Sequence, residues 1–115
     1  MIYLASPYSH PDPEVMEARF DEICRIAGYL MGQGEVVFSP ISHTHPIAVR
    51  STLPRGWDYW ERVDREFILA SAKLVVAMID GWRESIGVQA QISIAKDHGI
   101  PIEYLRVDGA PNESN

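Results

Sequence analysis

Four short apolar runs separated by segments of helical spacing restrict this chain more than any other feature. The runs are Met1 to Ala5, Val36 to Phe38, Lys73 to Ile79 and Ile100 to Leu105. Each is too short for a helix and almost wholly apolar, as a strand covered on both faces must be. Between them, Met16, Phe20, Ile23, Ala27 and Leu30 recur at helical spacing, as do Trp60, Val63, Phe67 and Ala70, and then Val88, Ile92 and Ala95. The order β-α-β-α-β-α-β predicts an α/β domain with a parallel sheet and helices on both faces. Right-handed crossovers close such a chain as a small doubly wound fold.

Local punctuation agrees with these elements. Asp12 can cap the first helix, Pro13 suits its first position, and Glu14 suits its positive end. Gly32 or Gly34 can end it. Asp58 with Glu61 reads as a capping box in which Asp replaces Ser or Thr. Ser85 caps the last helix, which ends near Gly99. Between Ser39 and Gly56, a stretch with Pro40, Pro46 and Pro54 shows no clear periodicity. It reads as a long loop, of the kind that forms lids or binding loops.

Bulk properties narrow the function classes. The 115 residues suffice for one domain, spanning 1–115 with a polar tail from about Asp108. A net charge of −6 argues against nucleic-acid or anionic membrane partners. The single Cys24 excludes an internal disulfide and reads as a small packing residue. No apolar run approaches the ~18 residues of a membrane span. The opening Met-Ile-Tyr-Leu-Ala lacks the basic region of a secretory signal, so a cytoplasmic protein is expected.

Small-molecule sites in open α/β sheets lie at the carboxyl ends of strands. One such junction is Asp80-Gly-Trp-Arg-Glu-Ser85-Ile-Gly87, which opens the helix that carries Gln91. That amide interrupts the stripe of Val88, Ile92 and Ala95, a poor packing choice and a fitting ligand contact. The other junction is Tyr3-Leu-Ala5-Ser6-Pro-Tyr8. Small Ala5 and Ser6 allow close approach to the backbone, and Tyr8 can stack on a base or sugar, or else pack on a neighbouring helix. Ser85 and Gly87 can present backbone N–H groups to a ligand, beside ordinary capping by Ser85. Asp80 can bind a sugar hydroxyl or exchange protons, although Asp-Gly is also a common turn pair. Trp82 fits a pocket wall or a subunit contact. Of Trp57 and Trp60, one can pack in the core while the other covers a pocket or a subunit contact. His43 and His45 form a His-x-His pair with no third ligand in view, so no metal is expected. The first turn has no glycine, which counts against dinucleotide or P-loop binding, and no cofactor is expected.

Taken together, these motifs resemble the nucleoside 2-deoxyribosyltransferase superfamily, within a bacterial branch that has a Tyr-Leu-Ala-Ser-Pro-Tyr start and a Gly-Trp-x-x-Ser-x-Gly turn. The resemblance runs from Ile2 to Pro101 and implies a flavodoxin-like (Rossmann-like) fold of four to five parallel strands. It also implies cleavage or transfer at the N-glycosidic bond of a nucleoside or nucleotide, and homo-oligomers in which a neighbour completes the pocket. In that family a glutamate attacks the anomeric carbon. Its position falls on Gln91 here, and an amide oxygen is a weak nucleophile. An acid often found just before the third strand is replaced by Ala72, and the transferases' aspartate by Ser85. The alternative expectation is a nucleoside- or nucleotide-binding module without the reaction. Arg50, Arg55 and Arg83 are the arginines that can meet a phosphate.

Overall fold

The computed structural model describes residues 1–54 and 56–107. The polar tail from Asp108, and Arg55, lie outside the described residues. In chain order the elements are β1 (Ile2–Ala5), α1 (Pro13–Gly32), β2 (Val37–Phe38), α2 (Pro40–Ser51), α3 (Trp57–Leu69), β3 (Lys73–Ala77), α4 (Ile86–Asp97) and β4 (Ile102–Leu105). The strands form one parallel sheet in the order β2-β1-β3-β4, with Ile2 opposite both Val37 and Lys73, and Leu74 opposite Ile102. This is a flavodoxin-like, doubly wound arrangement.

Alternation along the strands divides the core in two. Tyr3, Ala5, Leu74 and Val76 face α3 and α4, where Ile68, Val88, Ile92 and Ala95 complete one cluster. Ile2, Leu4, Val75 and Ala77 face α1 and pack on Ile23, Ile26 and Ala27. The caps of two helices form as the sequence predicts. Asp12 accepts from the Glu14 N–H at 2.9 Å, and Ser85 accepts from the Val88 N–H at 3.2 Å. Cys24 is half-buried, with its Sγ 3.2 Å from the Ser42 hydroxyl. Among the described residues, no helix is long and apolar enough to cross a membrane.

Two local expectations are corrected. The proline-rich stretch after Ser39 is not a loop but mostly helix. Ser39 caps it by accepting from the Ser42 N–H at 3.3 Å, and Pro40 takes the first helical position, where its missing N–H costs nothing. Pro46 lies inside this helix. Burial of Thr44, His45 and Ala48 compensates for the backbone bond that the ring cannot donate. The capping box at Asp58 and Glu61 does not form. The N-cap of α3 is Gly56, which has no side chain to accept a bond, and Asp58 serves only as an acid in the first turn.

Because β1 lies between β2 and β3, the chain leaves β1 toward one edge of the sheet and β3 toward the other. The connections diverge at the carboxyl ends of these two strands and leave a crevice there.

Candidate functional site

That crevice opens into a hollow of about 400 Å³, within the ~300–1,000 Å³ typical of small-molecule sites. Ser6 and Tyr8 enter it from the turn after β1, and Ser85, Gly87 and Gln91 from the start of α4. One further wall is α2, through Ile41, Thr44 and Ala48. Another is α3, through Trp57, Trp60 and Asp64.

Asp64 and Gln91 hold the most unusual polar positions, with only 6% and 5% of their surfaces exposed. Gln91 Nε2 donates to the Tyr3 hydroxyl at 3.0 Å and to Asp64 Oδ2 at 3.4 Å. Tyr3, fully buried in the sheet, supports this pair from below. Burial raises the Asp64 pKa to about 7, while hydrogen bonding from Gln91 and Tyr3 pulls the other way. Burial, and then the Asp64 charge, push the Tyr3 phenol well above its ordinary value.

Three residues that line the hollow each hold a buried side-chain atom with no hydrogen-bond partner among the described residues: Ser6 Oγ, Asp64 Oδ1 and Gln91 Oε1. Leaving a buried polar atom unpaired costs about 1–3 kcal/mol, and such atoms in a folded protein call for a physical reason. They are one hydroxyl and two acceptors on residues that line the same space. The arrangement suits a ligand that brings hydrogen-bond donors.

The predicted site residues are only partly brought together. Ser6, Tyr8, Ser85, Gly87 and Gln91 share the hollow. Tyr3 supports it without lining it, and Ala5 is fully buried in the core. Asp80 is elsewhere, exposed in a second groove with Asp12, Arg19 and Ile79, because Gly81 turns the chain at φ +93° just beyond β3. Trp82 is not a wall of the hollow. It packs on the edge of the core, 5.7 Å from the Tyr104 ring, with the Arg83 guanidinium 5.0 Å above it. Trp57 and Trp60 both line the hollow, and Trp60 Nε1 donates to the Pro54 carbonyl at 2.6 Å. His43 and His45 diverge. His43 is exposed near Phe38 and Phe67, whereas His45 is buried behind Tyr8. Arg50 is exposed at the end of α2.

Asp64 is the residue that sequence reasoning missed. Its signal was the one that exposed Gln91. The stripe of Trp57, Trp60, Asp64 and Ile68 has helical spacing, and a carboxylate interrupts it.

A family model described as "Domain of unknown function (DUF1937)" matches residues 1–106. No curated protein matches the chain.

Proposed function

We propose, for a chain that belongs to the family of DUF1937 domains, that the hollow binds a nucleoside and hydrolyses its N-glycosidic bond, with Asp64 as the acid. The observation that carries this reading is a buried carboxyl with a pKa near 7, on a residue that lines the hollow, whose second oxygen has no partner among the described residues. A carboxyl tuned to neutrality holds a proton that it can transfer at working pH, which a solvated aspartate cannot.

The remaining groups fit the two halves of a nucleoside. Sugar hydroxyls can donate to Gln91 Oε1 and pair with the Ser6 hydroxyl. Tyr8, Trp57 and Trp60 supply aromatic surface for a base. In the reaction the C–N bond breaks, and its electron pair goes to the base nitrogen, which takes the Asp64 proton. Water oxygen bonds to the anomeric carbon, and the water releases one proton to a base. Gln91 cannot hold the sugar as an ester, as the glutamate of a retaining enzyme does, so its amide dipole serves to orient the sugar.

Incubation with the common 2′-deoxyribo- and ribonucleosides, followed by chromatography, should reveal free base. Asp64→Asn should lower kcat by about a hundredfold or more. Undiminished release by that variant, or none from the wild-type protein at high concentration, would sink the reading. The substitution at Gln91 favours one alternative, a module that binds nucleosides without cleaving them. Thermal stabilisation by nucleosides without base release would select that alternative.

A further inference from the structure

We infer that Tyr8, His45 and Glu17 form a proton-accepting array in the wall of the hollow, in which the attacking water passes a proton to Tyr8 as Tyr8 passes its own to His45, and Glu17 orients the imidazole. The inference rests on the N-glycosidase reading, which names an acid and leaves the base unassigned.

The array crosses three segments of the chain. Tyr8, in the turn after β1, lines the hollow, and its hydroxyl pairs with His45 Nδ1 on α2. The other nitrogen, His45 Nε2, lies 3.3 Å from Glu17 Oε1 on α1. A nitrogen facing a carboxylate carries a hydrogen, so Glu17 selects the Nε2–H tautomer. Nδ1 then keeps its lone pair and accepts the Tyr8 proton. Ring packing holds the imidazole in this orientation. Phe20 lies against it at 4.3 Å and 33°, and Tyr8 meets it edge-on at 5.4 Å and 78°.

Burial grades outward along the array. The side chains of His45 and Glu17 are 9% and 60% exposed, so the sequence runs from the wall of the hollow to open solvent. This is the layout of a reacting hydroxyl, a base and an orienting carboxylate, with a phenol in the first place. Purely structural satisfaction of a buried histidine needs no partner from the wall of a cavity and no carboxylate at its far side.

The step balances as follows. Water passes a proton to the Tyr8 oxygen while the Tyr8 proton moves to His45 Nδ1. The water oxygen bonds to the anomeric carbon, and the C–N pair leaves with the base, which takes the Asp64 proton. The imidazolium rests beside the Glu17 carboxylate. Return of its proton through Tyr8 and solvent to Asp64 closes the cycle.

Azide provides the test, because it attacks with no proton to lose. With the common nucleosides as probes, Tyr8→Phe should lower kcat by about a hundredfold or more with KM little changed, and sodium azide should restore turnover with glycosyl azide as the product. Glu17→Gln alters an exposed side chain and spares the fold. It should lose less activity and be rescued in the same way. Turnover by Tyr8→Phe at the wild-type rate, or slow variants that azide leaves slow, would overturn the array while the hydrolase reading stands. No base release by the wild-type protein would overturn both.

Discussion

Asp64 shows how one residue can be a cost to the fold and the centre of its chemistry. Its carboxyl titrates near 7 in the folded chain, against about 3.9 when unfolded. At low pH both states hold the proton. As pH rises between the two values, the unfolded chain releases its proton while the folded chain retains it, so stability falls. Above 7 the penalty is complete, on the order of 4 kcal/mol. Asp64→Asn removes this term without changing the shape of the side chain. The variant should be more stable than the wild-type protein at pH 8, and the difference should shrink toward pH 4. Urea midpoints at both pH values check this, and a gap independent of pH would mean that Asp64 titrates normally. A stabilising loss of function is expected where an active site holds unpaired polar groups. Residue identity alone pointed to Gln91 and not to Asp64. An amide in an apolar stripe is conspicuous, while an aspartate on a helix rich in charged residues looks like part of its solvated face.

Among the elements, the turn at Gly81 couples two others. A Cβ built there lies 2.4 Å from Arg19 Nη2, and the backbone at φ +93° disfavours any side chain. Arg19 Nη1 donates to the carbonyls of Tyr8 and Ser9, at 3.4 and 2.9 Å, so α1 holds the turn that carries Tyr8. Gly81→Ala therefore strains the start of one connection and displaces the clamp on another. It should destabilise the fold by about 1–2 kcal/mol, read as a lower urea midpoint, and an unchanged midpoint would show that the turn relaxes out of this backbone conformation. The helix α2 shows where local reading fails. Its prolines and histidines signal a loop when read singly. Ser39 and Pro40 begin a helix nonetheless, and packing against α1 and β1 retains it. Sequence periodicity is weak there because Thr44 and His45, both buried, are polar by type.

At the scale of the molecule, binding and stability are linked. A nucleoside that fills the hollow binds only the folded chain, so at a hundredfold excess over Kd it should add about 2.7 kcal/mol. For a domain of 115 residues that is a rise in Tm of roughly 10 °C. Differential scanning fluorimetry measures it, and Asp64→Ala should reduce the shift by removing the carboxyl that meets the base nitrogen. No shift with any nucleoside would leave the unpaired atoms of Ser6, Asp64 and Gln91 to a different donor-rich ligand. By itself the sequence determined the order of the elements apart from α2, the caps at Asp12 and Ser85, and the two strand ends that meet at the crevice. Those properties are local, written in spacing over a few residues, and handedness leaves little choice in closing the sheet. Only the tertiary structure decided that Asp64 faces Gln91, that Asp80 and Trp82 turn elsewhere, and that His45 stands behind Tyr8. These depend on how helices distant in sequence rotate against one sheet, and the burial that tunes a carboxyl to neutrality exists only once they have packed.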